Sequence, residues 1–121
     1  MKIIFLVDDD ITNLKVGKEA LSGSFDVLTF ISGEELLEAL KTMIPDMILL
    51  DLNMPIMNGY QTMLRLKAND LWKNIPVIIL TAINKKEAME RGISLGAVGY
   101  VTKPFSTKDL LSRVNTYFNA R

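Results

Sequence analysis

Acidic side chains follow two of the short apolar runs in this sequence. Asp8, Asp9 and Asp10 come directly after the first run, and Asp51 comes directly after the third. Carboxylates held close together repel one another, so that one of them tends to stay protonated. A divalent cation removes this conflict, and ligands that offer only oxygen favour Mg²⁺, Mn²⁺ or Ca²⁺. The acids therefore predict a cation site, provided that the fold brings the two segments together.

Two further polar residues have chemistry that complements such an acid cluster. Thr81 follows the fourth apolar run and supplies a hydroxyl donor, while Lys103 follows the fifth and supplies a compact positive charge. An acid, a metal, an amine and a hydroxyl are the components of a phosphoryl-transfer site with an aspartate nucleophile. Asp10 is better interpreted as the cap of the first helix, and Thr81 has an alternative interpretation as a helix-entry hydroxyl.

Composition narrows the possible chemistry. The chain has 121 residues, 49% of them apolar, which predicts one folded domain over residues 1–121. Histidine and cysteine are both absent, which excludes imidazole and thiolate catalysis, disulfides and cysteine- or histidine-based metal sites. Lys plus Arg equals Asp plus Glu at 14 each, which argues against direct binding to nucleic acid or a membrane surface. No apolar run is long enough to cross a bilayer, so we expect a cytoplasmic protein.

The apolar runs predict five buried parallel strands, because most of them lack polar alternation. Helical spacing fills the stretches between them, as in the apolar face that includes Leu110 and Val114. Helix starts are predicted at Ser32, Asn84 and Ser106, whose side chains are suited to capping. The predicted strands are Ile3–Val7, Val27–Phe30, Met47–Leu50, Val77–Leu80 and Val98–Val101.

Strict alternation of strands and helices predicts an open parallel sheet with helices on both faces. Ligands of such sheets bind beyond the carboxyl ends of the strands, where the strand order reverses. With the order 2-1-3-4-5, strands one and three are neighbours, and Asp8, Asp9, Asp51, Thr81 and Lys103 meet at one edge. A fragment of a larger α/β fold is the alternative, and we disfavour it because the chain starts on a strand and ends on an amphipathic helix.

Along its whole length the sequence resembles the receiver domain of bacterial response regulators, including the single-domain chemotaxis type. The resemblance implies a flavodoxin-like (βα)5 fold, a doubly wound parallel sheet in a single domain, with phosphorylation of Asp51. Five segments carry it: Leu6-Val7-Asp8-Asp9, Leu50-Asp51-Leu52-Asn53-Met54-Pro55, Asn58-Gly59, Leu80-Thr81-Ala82, and Gly96-Ala97-Val98-Gly99-Tyr100-Val101-Thr102-Lys103-Pro104-Phe105.

The resemblance also implies a set of metal ligands. Asp9 and Asp51 would hold Mg²⁺, or Mn²⁺, directly, together with the backbone carbonyl of Asn53. Asp8 would act mainly through water.

Roles for the other site residues follow from the same resemblance. Lys103 would contact the phosphoryl group, Thr81 would move towards it, and Tyr100 would change rotamer in step with Thr81. A cis peptide is expected before Pro104, and the small side chain of Ala82 would leave access to the phosphoryl group.

The expected partners are a phosphodonor and a target. Since the chain has no histidine, a phosphohistidine donor must be another protein, a histidine kinase or a histidine phosphotransfer protein. The domain would catalyse its own phosphorylation and dephosphorylation, and would act on an effector protein or a fused output domain. The output surface is expected on helix four, strand five and helix five. The element from Lys85 to Leu95 is expected to shift, because Gly92 interrupts it and its apolar face is thin.

Three other functions are alternatives for such a sequence. A Mg²⁺-dependent phosphohydrolase of the haloacid type would need a second Asp two residues after Asp51, where this chain has Asn53. A flavin-binding flavodoxin would need a phosphate-cradling loop where Asp8, Asp9 and Asp10 stand, and these acids would repel the phosphate. A non-catalytic interaction module would usually lack one of the acids or the lysine.

Overall fold

The computed structural model describes residues 1–52, 54, 58–82 and 86–119. Within these ranges, strands and helices alternate five times, and all strand pairs are parallel in the order β2-β1-β3-β4-β5. The open parallel sheet predicted from the alternation is therefore confirmed, and so is the flavodoxin-like fold that the resemblance implies. The elements are β1 Ile3–Val7, α1 Ile11–Leu21, β2 Asp26–Phe30, α2 Gly33–Ala39, β3 Met47–Asp51, α3 Gly59–Ala68, β4 Val77–Ala82, α4 Lys86–Ser94, β5 Gly99–Lys103 and α5 Thr107–Asn119.

Three of the polar residues lie inside strands, where the sequence predicted them just beyond. Asp51 is the last residue of β3, Thr81 belongs to β4, and Lys103 is the last residue of β5. Val98, predicted as the start of the fifth strand, is instead exposed and precedes it. Apolar runs mark only the apolar part of a strand, whereas the backbone pairing continues through the polar residues at its carboxyl end.

Two hydrophobic cores cover the two faces of the sheet, as expected for buried parallel strands. Alternate residues of β1 show the division, because Ile4 and Leu6 pack with α1 and α5, while Phe5 and Val7 pack with the helices of the opposite face. All four side chains are fully buried. In the described ranges, no helix combines the length and apolar character that crossing a membrane requires.

Side-chain caps begin the helices at several predicted positions. Asp10 Oδ1 accepts the amide of Thr12 at 2.9 Å, so Asp10 is the cap of α1, as predicted. The hydroxyls of Ser32 and Ser106 each accept an amide three residues further on, at 3.1 and 3.0 Å. The cap predicted at Asn84 lies outside the described residues.

Helix α4 differs from its prediction at one glycine. The helix runs without a break through Gly92, so the prediction that Gly92 interrupts it is wrong. Gly92 is buried, and a Cβ there would overlap Cδ1 of Ile79 on β4. The glycine therefore allows the helix backbone to lie close to the sheet. The thin apolar face is confirmed, since Ala88 and Leu95 are only partly buried; Lys85 lies outside the described residues.

Candidate functional site

The ends of β1 and β3 bring the predicted acids together. Asp8 directly follows β1, Asp51 ends β3, and the two strands are neighbours in the sheet. Carboxylate oxygens of Asp8, Asp9 and Asp51 all lie within 4.8 Å of one another. Asp8 and Asp51 are fully buried, whereas Asp9 is exposed. The structure thus contains a three-carboxylate cluster that opens to solvent on the side of Asp9.

Asp8 is held in place by backbone groups on both sides. Its amide donates to the carbonyl of Phe30 at 3.1 Å, and its Oδ1 accepts the amide of Asp10 at 3.0 Å. Its Oδ2 is buried and accepts no hydrogen bond from the described part of the chain. A buried carboxylate oxygen without a hydrogen bond is costly, and the described residues offer this atom only the ion pair with Lys103 at 3.6 Å, so it is suited to binding a cation.

Lys103 provides the positive charge of the site. Its Nζ lies 3.0 Å from Asp51 Oδ1 and 3.6 Å from Asp8 Oδ2. Burial alone would lower the pKa of this ammonium group, but the hydrogen bond to Asp51 and the charges of Asp51 and Asp8 outweigh burial and raise the pKa above its usual value. Lys103 therefore remains a cation beside the acids. The peptide bond between Lys103 and Pro104 is cis, as expected from the resemblance.

Thr81 and Tyr100 lie at different depths along the sheet. Thr81 is buried and pairs with Thr102, one residue before the position where Ala82 pairs with Lys103. It is therefore at the same end of the sheet as the acids. Tyr100 pairs with Ile79, two residues before Thr81, and is only partly buried. The side chain of Tyr100 packs against the core that includes Ile79 and Ala97, with the guanidinium of Arg113 5.3 Å from the centre of its ring.

The donor set fits a hard divalent cation. Three carboxylates and one ammonium leave an excess of two negative charges in a cluster with two buried members. Mg²⁺ prefers oxygen ligands and commonly uses one or two protein carboxylates. Two observations agree with a bound cation: Oδ2 of Asp8 accepts no hydrogen bond from the described residues, and the cluster is open to solvent at Asp9. Asn53, predicted to contribute its backbone carbonyl, lies outside the described residues.

Gly59 has a role at the site that the sequence analysis did not assign. It begins α3, and its amide donates to the carbonyl of Leu52 at 3.1 Å. A Cβ at Gly59 would lie 2.5 Å from the carbonyl oxygen of Asp51, so only glycine lets α3 approach this closely. Asn58 caps the same helix in a reciprocal pair with Gln61. The sequence signal that could have revealed this role is a glycine directly after Asn58, a residue type that caps helices.

Comparison with known proteins identifies a family over most of the chain. The family model described as response regulator receiver domain matches residues 4–115. A Vibrio cholerae protein named "Probable cyclic di-GMP phosphodiesterase" is 39% identical over 114 residues, which are 94% of this chain and 26% of that protein.

Two solved structures agree with this match. The chemotaxis protein CheY4 of Vibrio cholerae superposes with a TM-score of 0.89 at 28% identity, covering 96% of this chain and 98% of that one. The response regulator DrrB of Thermotoga maritima gives 0.87 at 33% identity, covering 99% of this chain and 54% of that one. Against the first curated relatives, the chain spans between 26% and 51% of their length.

Proposed function

The chain belongs to the response regulator receiver domain family, and from this premise we propose that Asp51 accepts a phosphoryl group from a phosphohistidine on a separate protein. Receiver domains are signalling phosphoacceptors, which agrees with the site described above. One observation carries the assignment to Asp51. Its buried carboxylate ends β3, lies 3.0 Å from Lys103 Nζ, and shares a cluster with Asp8 and Asp9.

The transfer is a displacement at phosphorus. An oxygen of the Asp51 carboxylate forms the new bond to phosphorus, and the bond to the donor breaks, with its electron pair leaving on the donor. Lys103 is already hydrogen-bonded to Oδ1 and holds a positive charge where negative charge collects on the phosphoryl oxygens. Thr81, buried at the same end of β4, would donate its hydroxyl to one of these oxygens. Because these groups belong to this chain, we propose that it catalyses its own phosphorylation and dephosphorylation.

We assign Asp8, Asp9 and Asp51 as the residues that would hold Mg²⁺ or Mn²⁺, with the backbone carbonyl of Asn53 as a further ligand. When bound, the cation would neutralise part of the charge on the phosphoryl oxygens. Two observations support this assignment. The candidate ligand atoms are all oxygens, and Oδ2 of Asp8 is buried without a hydrogen bond from the described part of the chain.

The partners proposed are a donor and a target. The chain contains no histidine, so we assign the donor as a histidine kinase or histidine phosphotransfer protein, acting in the cytoplasm. It would dock over the edge of the sheet that carries Asp51. The target would be an effector protein or a fused output domain that reads the face of α4, β5 and α5. The greater length of the curated relatives supports a fused output domain as one form of this target.

The experiment is incubation of the purified protein with acetyl phosphate and Mg²⁺, followed by intact-mass measurement. We expect a gain of one phosphoryl group in the native protein and in Asp26→Asn, since Asp26 is an exposed acid at the start of β2. Asp51→Asn should show no gain. Equal phosphorylation of Asp51→Asn would refute the assignment, and hydrolysis of a range of phosphomonoesters would indicate a phosphohydrolase instead.

A further inference from the structure

The first turn of α3 lies directly on the backbone of the proposed phosphoacceptor. Gly59 begins the helix, and its amide donates to the carbonyl of Leu52 at 3.1 Å. A Cβ on Gly59 would lie 2.5 Å from the carbonyl oxygen of Asp51, so no side chain separates the helix from the end of β3. A shift of α3 therefore changes the position of the Asp51 backbone, because closely packed atoms transmit strain to one another.

Tyr60, the next residue, connects α3 to α4. Its side chain is partly buried and packs against the same core as Ile79. The guanidinium of Arg91, in the last turn of α4, lies 4.3 Å from the centre of the Tyr60 ring, which is within the range of a cation–π contact. No carboxylate forms an ion pair with Arg91 in the described ranges, so the ring is the partner of this cation there.

Arg91 also lies beside the point where α4 comes close to the sheet. Gly92 follows it and faces Ile79 of β4, whose side chain a Cβ on Gly92 would overlap. Ile79 in turn pairs with Tyr100 of β5. The end of α4 thus contacts α3 through Arg91 and the strand next to Tyr100 through Gly92. Since Gly92 contributes no side chain, the contact with Tyr60 helps to fix this end of the helix.

On the basis of the proposed function, we propose that the contact of Arg91 with Tyr60 is a latch that holds α4 in place and couples it to the acceptor site. Adjacent residues of α3 touch Asp51 and Arg91, so a change at either one reaches the other through the first turn of α3. Phosphorylation of Asp51 would weaken the latch, and by linkage, loss of the latch would favour the phosphorylated form. This route is separate from the predicted coupling of Thr81 with Tyr100.

The first test needs no phosphodonor and measures amide exchange in the free protein. Arg91→Gln and Tyr60→Leu should each speed exchange in α4 by roughly two- to fivefold, the factor expected for loss of a cation–π contact. Tyr60→Phe keeps the ring and should exchange like the native protein. The amides of α5 are the internal reference, since a general loss of stability would speed their exchange as well.

Arg91 is exposed, so Arg91→Gln tests the latch even if Tyr60→Leu lowers the stability of the whole fold. Native exchange rates in α4 of Arg91→Gln, or rates that rise equally in α4 and α5 of that variant, would overturn the proposal.

A double variant separates the latch from the other effects of each substitution. Arg91 lies in the last turn of α4, near the negative end of the helix dipole, so Arg91→Gln loosens the helix slightly on its own account. If the two residues act through one contact, Arg91→Gln should speed exchange less in the Tyr60→Leu background than in the native protein. An equal factor in both backgrounds would show that the residues act independently and that there is no latch.

The link to the acceptor site is measured with Mg²⁺ and beryllofluoride, a mimic of the phosphoryl group. Arg91→Gln and Tyr60→Leu should reach half-conversion at roughly two- to fivefold less beryllofluoride than the native protein, whereas Tyr60→Phe should need the native concentration. In the native protein, the side-chain NMR signals of Arg91 should carry a ring-current shift from Tyr60, and this shift should shrink in the beryllofluoride form.

Equal half-conversion in all these proteins, or an undiminished ring-current shift, would refute the coupling. A native protein that does not bind beryllofluoride would instead contradict the proposed function, and amide exchange in the free protein would still decide whether the latch holds α4.

Discussion

Helices α5 and α4 are held to the sheet in different ways. Leu110 and Val114 of α5 are fully buried, and Leu111, Tyr117 and Phe118 pack around them. In α4 the buried residue is Gly92, which offers no side chain. Side-chain contacts to α3 add to the hold on α4, because the guanidinium of Arg91 lies 4.3 Å from the ring centre of Tyr60.

This difference divides the molecule into a fixed region, the strand ends that carry the acid cluster, and a responsive region, helix α4. The acid cluster lies at the ends of strands whose side chains fill both cores. A helix held mainly by close backbone approach at Gly92 and by the contact of Arg91 with Tyr60 costs less free energy to displace. We therefore expect phosphorylation to leave α1 and α5 in place and to move α4.

The largest expected effect is a difference in stability between two leucine-to-alanine variants, one in α5 and one beside α4. Leu110→Ala should lower the free energy of unfolding by about 2–5 kcal/mol, because it leaves a cavity in a fully enclosed position. Leu95→Ala, directly after α4, should lower it by about 1 kcal/mol, because that side chain is only partly buried. Urea denaturation measures both. Equal losses would mean that α4 is as firmly packed as α5.

The next effect compares two glycines that allow close packing. In Gly17→Ala the new Cβ would lie 2.6 Å from Cδ2 of Leu6, which is fully buried, so overpacking should cost about 1–3 kcal/mol. Alanine favours a helix over glycine by about 1 kcal/mol in both variants, because both glycines lie inside helices. Gly92→Ala would meet Cδ1 of Ile79, but α4 can move outward to relieve the overlap. The net change in unfolding free energy should be smaller than for Gly17→Ala. A Gly92→Ala protein as unstable as Gly17→Ala would show that α4 cannot move.

A smaller effect concerns the proposed cation site at the carboxyl ends of the strands. A ligand that binds only the folded state stabilises it by about 1.4 kcal/mol at ten times its Kd, so Mg²⁺ should raise the melting temperature. Asp9→Ala should remove most of this rise. Asp10→Asn is the matched control, since it neutralises an adjacent acid that caps α1 and keeps the capping oxygen. An undiminished rise in Asp9→Ala would place the ion elsewhere.

Much of the site could be predicted because parallel strands bring their carboxyl ends to one edge. Asp8, Asp51 and Lys103 follow from strand order and position alone, and their distances agree with the predicted cluster. Thr81 likewise lies at the predicted end of β4. The predicted switch of Thr81 and Tyr100 concerns a second state of the protein and stays a prediction.

Features that depend on how two helices approach each other could not be predicted. Gly92 was interpreted as a break, since its fit against Ile79 depends on the distance between α4 and the sheet. The contact of Arg91 with Tyr60 and the position of Lys67 over Gly96 depend on the placement of α3 beside α4. No periodicity within a single helix contains that information.

The most direct test of this account is amide NMR of the free protein and of its beryllofluoride form with Mg²⁺, in which beryllofluoride stands in for the phosphoryl group on Asp51. We predict shifts around Asp51 and Thr81, at Tyr100 and along residues 86–94, with the amides of α1 and the buried part of α5 nearly unmoved. Shifts confined to the Asp51 pocket, with Tyr100 and α4 unchanged, would contradict the division into a fixed and a responsive region.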